Sequence, residues 1–168
     1  LTVPADIIRA LALVKKACAL ANVELGFLER ARAEAILSAC DEIAAGKLAD
    51  QFPVNAMQGG AGTSTNMNAN EVVANRALES LGSGRGEYAH IDPIAHVNLH
   101  QSTNDVYPTA VKIAVILALR RLSQACASLQ GTLQARETAF AGIVTIGRTE
   151  MIDAVPISLG AQFASFAE

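Results

Sequence analysis

The 168-residue sequence has no tryptophan, and aromatic residues make up only 4% of it against 51% hydrophobic residues overall. Its apolar content is therefore mostly Ala, Leu, Ile and Val, which favours closely packed helices over an aromatic-rich sandwich. Clusters of basic residues are also lacking. Thirteen Lys and Arg against 16 Asp and Glu leave a net charge of -3, which argues against a nucleic-acid surface. Long apolar runs are missing too: the longest, Val111 to Leu119, is interrupted by Lys112 and is too short to span a bilayer. Leu1 to Ala10 has no basic region of the kind that opens a signal peptide, and it carries Pro4 and Asp6. Cysteine is scarce, odd in number and widely spaced. Cys18, Cys40 and Cys126 read as three buried thiols in a reducing, cytoplasmic setting. The length suits one domain with a proper core and is short for two complete ones.

What is present is mainly helical periodicity. Pro4 to Leu20 places Ile7, Ile8, Leu11, Val14 and Cys18 at helical spacing, with Pro4 suited to a first turn. A second helix is predicted from about Leu28 to Ala45, with Ala33, Ile36, Leu37, Cys40 and Ile43 on one face and Gly46 ending it. Residues 50–62 read as irregular chain, Glu71 to Leu81 as helix, and Gly82 to Gly86 as a flexible link. Asp105 to about Ala141 is the strongest helical signal. It has Pro108 in its first turn, and Ser102 stands three residues before Asp105 in a capping arrangement. A helix of that length, about 50 Å, suits an extended bundle. Residues 142–156 read as a loop, and from Ile157 a further helix runs to Glu168 in mid-pattern, as though the chain were cut there.

Two polar stretches interrupt this pattern: Gly59 to Glu71 and His96 to Asp105. Both are rich in Thr, Ser, Asn and Gly, and each stands ahead of an apolar helical pattern. Helix starts offer free N–H groups and the positive end of the dipole, and hydroxyl and amide side chains add donors without net charge. Together they suit a small carboxylate better than a nucleotide or a metal. His96 and His100 are four apart, but no third ligand stands nearby, so no metal site is expected. No cofactor is expected either. Asn66, Asn68 and Asn70 read as residues that hold loop backbone, His90 as a surface residue, and Arg148 as a brace for its loop.

Three blocks carry a resemblance to a known family: Gly60-Ala61-Gly62-Thr63-Ser64-Thr65-Asn66-Met67-Asn68-Ala69-Asn70-Glu71 through Arg76, His96-Val97-Asn98 with Gln101-Ser102-Thr103-Asn104-Asp105 through Ala110, and Gly147-Arg148-Thr149-Glu150 through Pro156. On these blocks the chain resembles the fumarase/aspartase superfamily, and its aspartate ammonia-lyases in particular, over about the N-terminal third of a full-length member. The resemblance implies a mainly α fold. Residues 1–101 would be the N-terminal helical domain, and 102–168 the start of a central helical bundle, here truncated. It also implies a homotetramer whose active sites are each assembled from three subunits. His96-Val97-Asn98 and the Thr at 103 are similar to the aspartase version of these blocks. Class II fumarases usually carry an acid at the first position and a second Ser at the other. Fumarases also usually carry His where Glu150 stands.

By the same resemblance Thr63, Ser102, Thr103 and Thr149 match positions that hold the substrate's carboxylates, and Asn104 one that offers its amide. Glu150 is assigned to meet the amino group, with a solvated loop carboxylate as the alternative. The implied reaction is conversion of L-aspartate to fumarate and ammonia, through an aci-carboxylate that preorganised donors stabilise. The family's general-base Ser lies on a loop of the type Gly-Ser-Ser-x-Met-Pro-x-Lys-x-Asn. Nothing in 1–168 matches it, so this piece alone is expected to be inactive. A class II fumarate hydratase is the alternative enzyme. A non-catalytic helical assembly module is the alternative from another class.

Overall fold

The computed structural model describes residues 1–58 and 60–168. Gly59, which opens the first polar stretch, lies outside the described residues. Five α-helices are present among the described residues: α1 (Ala5–Glu24), α2 (Arg30–Ala44), α3 (Thr63–Ser80), α4 (Thr103–Ala139) and α5 (Leu159–Ala167). A two-stranded antiparallel hairpin, β1 (Val144–Thr149) and β2 (Ile152–Ser158), stands between α4 and α5. The chain divides into two compact units, Leu1–Ile116 and Leu117–Glu168.

In the first unit α1 packs against α2, and α2 against α3. The expected apolar faces form this core: Leu11, Ile36, Cys40 and Leu78 are fully buried. Each buried aliphatic side chain contributes about 1.5–3 kcal/mol relative to exposure. Where α2 ends, Gly46 (φ +87°) takes the left-handed conformation. Its N–H donates to Ile43 O at 2.9 Å, and that of Lys47 to Glu42 O at 3.0 Å. This pattern satisfies carbonyls the helix end would otherwise leave unpaired. Arg76 ties α3 to α2 through two parallel bonds of 2.9 Å to the Glu42 carboxylate, which holds that carboxyl below its usual range.

Several expectations need correction, among them the helix expected from Ile157, which lies in β2 with α5 starting at Leu159. α3 begins at Thr63, not near Glu71, so Asn66, Asn68 and Asn70 are helical residues rather than loop braces. Thr, Ser and Asn have weak helix propensity, but here the NH2 groups of Asn66, Asn68 and Asn70 find partners on other segments, which offsets it, although their buried Oδ1 atoms are left unpaired. Residues 142–156 are not a loop but most of the β-hairpin. Val144 and Ile146 alternate with small or polar residues, as do Val155 and Ile157 on the facing strand. Pro108 falls in the second turn of α4, since the helix starts at Thr103, and it deprives the Asn104 carbonyl of its helical donor.

The long helix is confirmed: α4 runs for 37 residues, about 55 Å at 1.5 Å per residue. Leu119, Leu122 and Leu129 are each more than half exposed, and Leu117 is half-buried. In the second unit α5 is capped by Ser158, whose Oγ accepts from Ala161 N at 3.0 Å. It lies close against α4, since a Cβ on Gly160 would fall 2.5 Å from Glu137 O. The cysteines are all free, but only Cys40 is buried; Cys18 is intermediate and Cys126 exposed. Cys126 stands on the stretch of α4 where the second unit leaves nearly every residue open.

Candidate anion-binding site

Ser102 caps the start of α4, but through Asn104 N and not through the Asp105 N of the expected box. Ser102 O accepts from Asp105 N (3.1 Å) and Val106 N (3.0 Å), and Ser102 Oγ accepts from Asn104 N at 3.2 Å. Across from it, Gly60, Ala61 and Gly62 turn into α3, with Gly62 at φ +86° as the residue before the first helical turn. Its N–H-bearing backbone comes so close to α4 that a Cβ would lie 2.4 Å from Tyr107 Cδ1. A cleft of about 560 Å³ opens between them, lined among others by Gly60, Gly62, Thr65, Asn104, Tyr107 and Lys112. Its polar lining is mostly neutral donors, with one ammonium group. Of the expected site residues Asn104 lines this cleft, whereas Thr63, Ser102 and Thr103 stand beside it and not in its lining.

Of the expected site residues, Thr63 opens α3 next to Gly62 and is exposed, while Ser102, Thr103 and Asn104 are consecutive at the start of α4. Thr103 is half-buried, and its Oγ1 accepts from Asn66 Nδ2 at 2.9 Å. Thr149 and Glu150 belong to the second unit, at the tip of its hairpin, and both are exposed. Glu150 (φ +49°) and Met151 (φ +65°) form the two-residue turn, with both residues left-handed. Arg148 braces the hairpin through Asp153, Nε to Oδ1 3.3 Å.

Both histidines of the second polar stretch have Nδ1 engaged within the fold. His96 lies on a short wide turn, Pro93–Val97, and its Nδ1 accepts from Asp92 N at 2.8 Å. Burial, with the Arg32 charge adding to it, holds this imidazole below its ordinary range. His100 Nδ1 is 2.9 Å from Asn22 Oδ1. Among the described residues there is no group of three His, Cys, Asp or Glu that could hold a metal ion. No described helix is long and apolar enough to cross a membrane.

Behind the helix start lies a buried polar network that the sequence reading missed. Lys15 on α1 is fully buried, and its Nζ donates to Asn98 Oδ1 (2.9 Å) and Gln101 Oε1 (3.0 Å). Asn98 Oδ1 also accepts from Asn70 Nδ2 (3.1 Å) and Asn66 Nδ2 (3.3 Å). Asn98 Nδ2 donates to Gln101 O, and Gln101 Nε2 to Val97 O, which closes the turn leading to Ser102. Burial pulls the Lys15 ammonium down from 10.5 to about 8. The available signal was positional: Leu11, Lys15, Cys18 and Asn22 occupy one stripe of α1, so two polar residues sit at core positions.

A helical unit with a long bundle-type helix, whose start meets a Gly-rich turn over a cleft, defines a class of mainly α protein with an extended helix. Comparison with known proteins agrees. The family model described as "Lyase" matches residues 3–168, and the chain belongs to that family, the fumarase/aspartase superfamily. It is 49% identical over 162 residues to the aspartate ammonia-lyase of a Bacillus species, covering 96% of this chain and 35% of the relative. It is 48% identical over 165 residues to the class II fumarate hydratase of Thermosynechococcus vestitus, covering 98% and 35%. Among solved structures, the fumarate lyase:delta crystallin of Brucella melitensis in native form is similar with a TM-score of 0.93 and 52% identity, covering 97% of this chain and 38% of that one. The class II fumarase of Schistosoma mansoni has a TM-score of 0.91 at 35% identity, covering 99% and 35%. The chain thus spans about a third of the length of the curated relatives it matches.

Proposed function

We propose that this chain is part of an aspartate ammonia-lyase, converting L-aspartate to fumarate and ammonia by β-elimination through an aci-carboxylate. The observation that carries the reading is the start of α4. There Ser102 caps the helix and Thr103 Oγ1 accepts from Asn66, so the Thr103 hydroxyl proton is left to donate outward. Removing a proton beside a carboxylate drives charge onto its oxygens. Neutral donors fixed beforehand stabilise that charge more as it grows. Thr63, Ser102, Thr103 and Thr149 hold the two carboxylates in this reading, Asn104 adds its amide, and Glu150 meets the amino group. The proton itself is taken by a Ser outside residues 1–168, and no cofactor takes part.

The reading extends to the whole protein as a cytoplasmic homotetramer. Residues 1–101 are its N-terminal domain and 102–168 the start of its bundle, and the apolar face of α4 is covered by other bundle helices. Hydration of fumarate is the second reading. It is kept because fumarate hydratases match this chain at 48–49% identity, level with the ammonia-lyases. The test is absorbance of fumarate formed by the complete lyase, supplied first with L-aspartate and then with L-malate. Formation from aspartate supports the proposal; formation from malate alone replaces it with the hydratase.

A further inference from the structure

Lys15 is an unusual core residue. It is a fully buried lysine whose resolved hydrogen-bond partners are amide oxygens, 83 and 86 positions along the chain. A buried ammonium is costly unless its donors are met, and a carboxylate is the common answer. Neutral partners leave the positive charge in place and have a second consequence. An ammonium can only donate, so the Asn98 and Gln101 atoms facing it must be oxygens. With its oxygen turned to Lys15, Asn98 can only accept from the neighbouring amides, so Asn66 must present its NH2 group there. That same NH2 group reaches Thr103 Oγ1 at 2.9 Å. A hydroxyl that accepts from inside keeps its single proton for a partner outside.

We infer that Lys15 is a positioning residue for the anion site: through Asn98 and Asn66 it fixes the direction of a hydrogen-bond relay, so that the Thr103 hydroxyl is presented as a donor to a ligand carboxylate. The inference rests on the proposed reading of Thr103. Lys15 touches no substrate and acts only through the relay. Its bond to Gln101 has a related effect. Gln101 then turns its NH2 to Val97 O and keeps closed the turn in which His100 holds a left-handed backbone (φ +57°). The relay joins α1, α3 and the segment before α4, so three separate parts of the sequence set one proton's direction.

The experiment is a double-mutant cycle of Lys15→Met and Thr103→Val in the complete lyase, read as kcat and KM separately with L-aspartate and L-malate. Lys15→Met alone is expected to lower kcat by about 10- to 100-fold with little change in KM, like Thr103→Val. In the Thr103→Val background it should lower kcat by no more than about threefold, because the hydroxyl it orients is gone. Equal losses in both backgrounds, or normal kcat in Lys15→Met, overturn the inference. Should Lys15→Met fail to fold, Asn66→Asp takes its place in the cycle. It keeps the shape but cannot donate to Thr103 when ionised, so its kcat loss should likewise vanish in the Thr103→Val background. A loss that persists there reflects charge repulsion alone and overturns the relay. A wild-type lyase inert on both substrates overturns the functional reading and this inference with it. An active wild type with an equally active Lys15→Met overturns the inference alone.

Discussion

Replacing Gly62 by Ala tests how the cleft is assembled. Two costs follow from the structure. The backbone at Gly62 has φ +86°, a conformation that costs an L-residue roughly 1–2 kcal/mol. The added Cβ would also meet Tyr107 Cδ1, Cγ and Cε1 at 2.4, 2.5 and 2.6 Å. Carbon atoms pack comfortably at about 3.5–4.0 Å, so the ring must shift by about 1 Å, an overpacking cost of roughly 1–3 kcal/mol. Together the loss is about 2–5 kcal/mol, a large part of an ordinary domain's stability. Urea unfolding measures it, and the same substitution in a Tyr107→Ala background separates the terms. With the ring removed, only the backbone cost of about 1–2 kcal/mol should remain. A loss below about 1 kcal/mol, or one of equal size in both backgrounds, would refute the argument that the ring sets the approach of the two elements.

Thr103→Ala in the complete lyase should cost on the order of 10²-fold in kcat with KM nearly unchanged, as for loss of one oxyanion donor; a raised KM at normal kcat would mean uniform binding instead. Stability should rise with pH from about 8 to 9. Lys15, at about 8 folded against 10.5 ordinarily, makes the unfolded chain bind more protons there; with the folded lysine still part-protonated and the unfolded Cys40 thiol starting to ionise, the slope is roughly half of the one-proton limit of about 1.4 kcal/mol per pH unit. Burial pushes the Cys40 thiol from 9.0 up to about 12 and raises Cys18 as well, so above pH 9 the unfolded thiols ionise first and offset the rise, and stability falls once the unfolded Lys15 also deprotonates near 10.5. Denaturant midpoints across pH 7–11 check both signs, and Lys15→Met should abolish the rise. Met151→Gly should stabilise the second unit by about 1 kcal/mol, since Met151 is wholly exposed and held at φ +65°; thermal unfolding that is unchanged or earlier would contradict this.

Helices α1, α2 and α4 were legible because apolar spacing and their end signals point the same way. Ile36, Cys40 and Ile43 define a face that nothing nearby contradicts, and Gly46 closes it. The start of α3 was not legible. Thr63 to Asn70 carries side chains that favour caps and turns, and only partners on distant segments, such as Gln51 O for Asn68 and Asn98 for Asn70, account for their place in a helix. The hairpin was obscured by Gly147 and Pro156, which suggest a loop when read singly, although Gly147 falls at the register shift in β1 and Pro156 lies within β2. The polar stretches were legible as donor clusters near helix starts, since such residues can be read from composition. What lies behind them could not be read in the same way, because it joins residues more than eighty positions apart.

The two layers of the candidate site have different chemical demands, and this accounts for their composition. In the proposed reading, groups at the outer layer hold an anion whose charge grows during reaction and release it afterwards, which hydroxyls, amides and helix N–H groups suit. Neutral donors have a weakness: a hydroxyl can turn, and a hydroxyl that accepts when it should donate contributes nothing to the transition state. Something behind must therefore fix hydrogen-bond direction, and only a group that cannot reverse its own role can do so. An amide can be flipped and an imidazole can change tautomer, whereas an ammonium, the form of Lys15 below about pH 8, donates at every atom it offers. A full charge in the outer layer would bind substrate and product alike. Placed one layer back, at Lys15, it sets direction while neutral groups make the contact.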